Sequence, residues 1–270
     1  MSGWRFTLKQ APALRVDLRG ILPAALAGRS AAEVERMPVA MGNAMSPLAE
    51  WFTVEAAEAD ALVFEGDLSR FDRLGWQLDS GRIDVHGSVG HHAGGGMRAG
   101  ELAVSGNAGL LAACEMAGGR FTVGGNVDDF AASALPGNLD GMRGGTFVVQ
   151  GHAGARFGDR MRRGTALVCG DAGDFLASRM VAGTIALGGR AGAHPGFGMR
   201  RGSLVFAGGA PPAVPPTFVP AIGNVDVAWQ LIARSLARHG GPFEGLPARR
   251  CERHLGDLSA DGKGEMIFAR

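Results

Sequence analysis

The chain has 270 residues, 46% of them hydrophobic, enough to bury a sizeable core, and its formal net charge of +1 excludes bulk electrostatic capture of nucleic acid. Its longest apolar runs fall short of a membrane span and its opening, MSGWRFTLKQ, holds no apolar signal segment, so a soluble cytoplasmic protein is expected. Cys114, Cys169 and Cys251 are widely spaced and lack a C-x-x-C pair, which argues against a disulfide framework and against a zinc or iron–sulfur site; free thiols are expected.

Residues 1–61 read as a small β-rich cap. WRFTL from Trp4, LRVDL from Leu14 and WFTV from Trp51 alternate like half-buried strands, and Ser30 with Glu33 has the spacing of a capping box at a short helix. A cap is expected on physical grounds, because the stacked strands that follow would otherwise end on an unpaired edge.

Residues 62–209 repeat with a period of 19. The first and third places of successive units hold Ile83/Val85, Leu102/Val104, Phe121/Val123, Phe147/Val149, Ala166/Val168, Ile185/Leu187 and Leu204/Phe206. An apolar pair at period two marks a short strand facing a core. Gly87, Gly106, Gly125, Gly151, Gly170 and Gly189 close these strands, and Gly100, Gly119, Gly145, Gly164, Gly183 and Gly202 precede the next ones. Glycine at fixed offsets marks corners that need a left-handed backbone or close approach of two chains. No unit has room for a helix, so strand must pair with strand of the next unit. The expected fold is all-β, a parallel β-helix of about seven rungs spaced roughly 4.8 Å apart.

Met97, Met116, Met142, Met161, Met180 and Met199 form a further column, read as core filler because no Cys or His recurs beside them. Residues 62–82 make a degenerate first rung with Leu78 in the Met column, as suits a terminal unit. The unit that begins at Phe121 carries seven extra residues around Ser133 to Gly141, expected as a projecting loop turned by Pro136, Gly137 and Asn138. Residues 210–270 begin with the extended linker APPAVPP, continue with an amphipathic helix over 225–238 that sets Val225, Trp229, Ile232 and Leu236 on one face, and end in a tail that is basic around Arg249, Arg250 and Arg253.

Catalytic patterns are not recognisable. Gly94, Gly95 and Gly96 sit at a corner instead of opening a helix, so they do not read as a phosphate loop. His91, His92, His152 and His194 fall at differing places in their units with no carboxylate column beside them, and no metal site is expected. Asp128, Asp129, Asp171 and Asp174 read as solvated loop carboxylates. One column carries charge: Arg98, Arg143, Arg162, Arg163, Arg200 and Arg201 follow the methionines, so stacking would set guanidinium groups along one corner. A solvated basic edge is one reading; an anion-binding or partner-binding edge is the other, since stacked like charges repel unless something acidic lies over them.

The run GNLDGMRGGTFVVQGHAGARFGDRMRRGTALVCGDAGDFLASRMVAGTIALGGRAGAHPGFGMRRGSLVF resembles the C subunit of formylmethanofuran dehydrogenase, and more distantly the β-helix at the C-terminal end of the glutamate synthase large chain. The likeness is strong from about Phe64 to Phe206 and weak in the flanks. It implies a right-handed β-helix serving as a structural, non-catalytic C subunit beside A-, B- and D-type subunits. In one version the complex is a tungsten or molybdenum dehydrogenase. In the other it is a formyltransferase/hydrolase that moves a formyl group between a methanofuran-type carrier and tetrahydromethanopterin and releases formate. Lys9 and Lys263 are the only lysines and tyrosine is absent, a composition unlike a typical archaeal chain, which favours the second version. A stand-alone formyl hydrolase and an amide-channel scaffold are the alternatives. From its residues and apolar runs this chain is expected to bind no cofactor and to contact no membrane; the acidic tail of the carrier is a further candidate partner for the arginine column.

Overall fold

The computed structural model describes residues 3–57, 59–208, 213–223 and 225–270. The expected linker therefore lies partly outside the described residues, at 210–212. The structure is predominantly β, with a large sheet rich in parallel pairs and few helices.

Strand formation follows the period-two pattern. Leu62–Glu65, Arg82–His86, Glu101–Val104, Arg120–Val123, Arg143–Val149, Arg163–Val168, Thr184–Leu187 and Ser203–Phe206 lie side by side in chain order, each parallel to the next. Ile83 pairs with Leu102, Leu102 with Phe121, Phe121 with Phe147, Phe147 with Ala166, Ala166 with Ile185 and Ile185 with Leu204. This register is the column alignment read from the sequence, and both apolar places of each unit are buried. It could not slip by one residue without turning the whole apolar set to solvent. A second line of parallel bridges joins Leu68, Val89, Ala108, Val127, Ala153, Ala172 and Ala191, so each unit meets the next at two places.

The methionine column is wholly buried and packs against the glycines of the following unit. At Gly183 the backbone has φ +102°, and a Cβ there would lie 3.0 Å from the Gly164 carbonyl oxygen and 3.1 Å from the Met161 methyl. The corner thus needs glycine for its left-handed backbone and for space. Gly106 has a different reason: its φ is not in that region, but a Cβ would stand 2.7 Å from the Gly87 carbonyl oxygen.

Both flanks extend the parallel ladder. Gly3–Leu8 pairs in parallel with Leu62–Glu65 and antiparallel with Phe52–Ala57, which forms one edge. Gly264–Ala269 pairs in parallel with Ser203–Phe206 and antiparallel with Cys251–Gly256. Each flank contributes a strand to the ladder, because an end strand is satisfied by any segment that supplies a ladder of backbone groups. The capping-box signal is realised: the Ser30 backbone N–H donates to the Glu33 carboxylate at 2.8 Å ahead of the Ala31–Glu35 helix. A small sheet of Val16–Asp17, Pro38–Met41, Ala44–Pro47 and Phe71–Asp72 completes the N-terminal part.

A second apolar cluster lies outside the ladder. Val148, Leu167, Ala186 and Val205, the middle places of late strands, are buried beneath Trp229, Ala233 and Leu236 of the Asp226–Ala237 helix, with Phe243 and Leu246 beside them. The helix is anchored by the Trp229 indole N–H, which donates to the Arg249 carbonyl at 2.7 Å. Among the described residues no helix is long and apolar enough to cross a membrane.

Candidate functional site

The arginine column begins where the buried methionines hand the chain to the corner. Backbone N–H groups of Arg98, Arg143, Arg162 and Arg200 donate to the carbonyls of Leu78, Met116, Met142 and Met180 at 2.6–2.8 Å, so these residues occupy equivalent places on their rungs. Ala117 and Val181 take that place on the intervening rungs, donating to Met97 and Met161. The column is therefore interrupted. Only Arg143 lies next to Arg162 and Arg163; Arg163 is its direct strand partner. Across Ala117 or Val181 the separation is two rungs, about 10 Å, roughly one Debye length in 0.1 M salt, and repulsion there is largely screened.

All six side chains are exposed. Arg162 forms an ion pair with Asp140 at 2.8 Å, and Arg143 reaches toward the Glu115 carbonyl at 3.5 Å. Asp140 belongs to the inserted segment, so the insertion partly neutralises the one crowded stretch of the column. Arg98, Arg163, Arg200 and Arg201 form no ion pair among the described residues, and the Lys263 N–H donates to the Arg200 carbonyl at 2.6 Å, bringing a further cationic residue, just ahead of the Gly264–Ala269 strand, to this end. The arrangement offers separate cationic patches to an acidic surface or ligand, not a continuous charged track.

The histidines and aspartates have a role that residue spacing does not reveal. The Asn107 side-chain oxygen accepts from the Asn126 N–H at 2.8 Å, that of Asn126 from the His152 N–H at 2.8 Å, the His152 Nδ1 from the Asp171 N–H at 2.9 Å, and the Asp171 carboxylate from the Arg190 N–H at 2.7 Å. Each side chain satisfies a backbone donor on the next rung. Three places further on, Asp72, His91, Asp129 and Asp174 act likewise toward His91, Leu110, Ala155 and Ala193. A signal was present: an acceptor side chain recurs at the sixth and ninth places of the units, but spread over Asn, Asp and His it does not stand out by residue type.

This geometry fixes histidine chemistry. The His91 Nδ1 accepts from the Leu110 N–H at 3.0 Å and so must be unprotonated. Burial, and then the Arg15 guanidinium, hold this imidazole below its ordinary value of 6.5, over the opposing pull of Asp72 and Asp128. Burial, reinforced by Glu115, pushes the Cys114 thiol up to about 12, which leaves it a poor nucleophile. Among the described residues no three His, Cys, Asp or Glu side chains are grouped as metal ligands.

The insertion covers a cavity of about 480 Å³. Leu135, Pro136 and Leu139 line one side; Asp159, Arg160 and Arg179 line the other. Asp159 is 4% exposed, and its carboxylate accepts two hydrogen bonds from Arg179, at 2.9 and 2.6 Å, and one from Ser178 at 2.6 Å. From the preceding rung, Glu115 accepts from the Leu135 N–H and the Asn138 amide of the loop at 3.2 and 2.5 Å, which pins the insertion in place.

No family model matches the chain. It is 42% identical over 76 residues to the C subunit of the formyltransferase/hydrolase complex Fhc of Methylorubrum extorquens, a stretch that covers 28% of this chain and 29% of that protein. With the C subunit of tungsten-containing formylmethanofuran dehydrogenase 2 from Methanothermobacter wolfeii it shares 32% identity over 101 residues, 36% of this chain and 37% of that one. The chain thus spans about a third of the length of these curated relatives. A chain in the crystal structure of the formyltransferase/hydrolase complex FhcABCD from Methylorubrum extorquens, in complex with methylofuran, superposes along nearly its whole length: TM-score 0.92, 39% identity, 98% of this chain and 99% of that chain.

Proposed function

Because the chain belongs to the family of C subunits found in the formyltransferase/hydrolase complex and in formylmethanofuran dehydrogenases, we propose that it is the structural, non-catalytic C subunit of a formyltransferase/hydrolase complex. That complex moves a formyl group between a methanofuran-type carrier and tetrahydromethanopterin and releases formate, with the chemistry in A-, B- and D-type subunits. The observation that carries this reading is the near full-length superposition on a chain of such a complex. The stacked ladder supports reading the chain as a right-handed parallel β-helix of about seven rungs over 62–209, with a cap at 1–61 and a linker, helix and tail at 210–270. In this role the stack supplies a rigid surface, and the arginine patches at Arg98, at Arg143, Arg162 and Arg163, and at Arg200 and Arg201 face an acidic partner surface or the acidic tail of the carrier. This chain binds no cofactor of its own and works in the cytoplasm.

A second reading, the C subunit of a tungsten or molybdenum formylmethanofuran dehydrogenase, is favoured by the 32% identity to the Methanothermobacter wolfeii protein. Purification of the tagged chain from its native cell, with mass spectrometry of its companions and metal analysis, separates the two. Companions of the formyltransferase type without tungsten or molybdenum are expected; a molybdopterin-type companion with either metal would overturn the first reading, and no companions at all would overturn both.

A further inference from the structure

On four consecutive rungs the tenth place of the unit carries Phe130, Arg156, Phe175 and His194, each in the left-handed backbone region at φ 57–60°. That conformation is unfavourable for a bulky residue, and Gly or Asn relieves it. Two places further on the backbone is again left-handed, and there the chain uses Gly94, Ala113, Ala132, Gly158, Ala177 and Gly196. Large side chains at the tenth place are thus a departure from what the backbone favours, and they do not fill the core.

They form a stack along the surface. The Arg156 guanidinium carbon lies 5.8 Å from the Phe130 ring centre and 4.6 Å from that of Phe175; Phe175 stacks on His194 at 5.1 Å, and Phe197 meets Phe175 edge-on at 5.9 Å. Phe197 is 55% exposed and Leu139, at the tip of the neighbouring insertion, 74%. Arg156 has no ion pair among the described residues, and the adjoining cavity holds Arg160 and Arg179 against the single carboxylate of Asp159, from which Arg160 stands 3.9 Å away. An exposed apolar patch with aromatic and arginine anchors beside a half-open cavity has the makeup of the central part of a protein interface.

We propose that this face docks another subunit of the complex, through a partner segment that sets an apolar side chain into the cavity beneath the insertion and a carboxylate against Arg156 and Arg160. Inside the cavity two guanidinium groups meet the single carboxylate of Asp159, and this local excess selects an acidic partner group there, while Asp129 and Asp174 beside the stack balance the charge of the surrounding face. The apolar cavity wall selects a large hydrophobic side chain next to that acid. This assignment rests on the reading of the chain as a C subunit of a formyltransferase/hydrolase complex.

The test is capture of co-expressed A-, B- and D-type subunits by the tagged full chain, as wild type, Leu139→Asp, Arg156→Glu and Leu231→Asp. Leu231 is 69% exposed on the C-terminal helix, outside this face, and serves as the control. Thermal unfolding of each isolated chain is measured alongside. The expected result is at least tenfold weaker capture for Leu139→Asp and for Arg156→Glu, wild-type capture for Leu231→Asp, and unfolding temperatures close to wild type for all three. Wild-type capture by both face variants overturns the docking face alone, as does equal loss in the control. A wild-type chain that captures none of the subunits overturns the functional reading and this proposal with it.

Discussion

The inner and outer faces of the same strands obey different rules. Inward, every rung presents an apolar pair, from Ile83 and Val85 to Leu204 and Phe206, because each closes on one continuous core. Outward, the middle place changes along the stack: Asp84, Ala103 and Thr122 on the early rungs give way to Val148, Leu167, Ala186 and Val205. The change coincides with the C-terminal helix, which buries the later set. An outward place that turns apolar over several rungs therefore announces a covering element, whereas a uniformly apolar inward place announces only the stack.

The largest effect that breaks this contrast is expected inside. Phe147→Ala, at a fully buried ring packed 5.0 Å from Phe121 and 5.9 Å from Phe157, should cost about 4 kcal/mol, read by denaturant unfolding. Leu167→Ala, equally buried but outward beneath the helix, should cost about 3 kcal/mol; a loss below about 1 kcal/mol would mean that the helix contributes little there. Gly183→Val tests the corner between the faces and should destabilise by about 2 kcal/mol or more, with unchanged thermal unfolding contradicting the corner argument.

Acid should act through the polar bonds between rungs. The His91 imidazole binds a proton less readily folded than unfolded, so its contribution is complete above pH 6.5 and is lost as pH falls below that value through the lowered folded one. His91→Asn keeps an acceptor for the Leu110 N–H, as Asn107 does for Asn126, and should flatten this part of the stability profile, where pH falls below 6.5. An unchanged profile would place the acid sensitivity elsewhere. The smallest effect is expected at Thr122, on the uncovered outer face, where Thr122→Ala should stay within about 0.5 kcal/mol of wild type.

The stack was legible in the sequence because a period of 19 residues lines up like with like: strand places, glycine corners and the Met column all emerge from one alignment. The contributions of Gly3–Leu8 and Gly264–Ala269 to the ladder were not, since both lie outside the repeat and a lone strand carries no mark of its partner. The arginine column and its interruption were both legible, since Ala117 follows Met116 and Val181 follows Met180; the ion pair of Arg162 with Asp140 of the insertion was not. The exposed stack of Phe130, Arg156, Phe175 and His194 was hidden because aromatic, cationic and imidazole side chains share a column without sharing a residue type.

Reconstitution tests the proposed role of this chain as a scaffold whose partners hold the chemistry. Formyl transfer from the carrier to tetrahydromethanopterin, and formate release, would be assayed for the isolated chain, for the A-, B- and D-type subunits without it, and for all four together. No turnover is expected from the isolated chain, impaired assembly and activity from the three alone, and recovery of both when the chain is added. Formyl hydrolysis by the isolated chain, or full assembly and activity without it, would rule out a scaffold role.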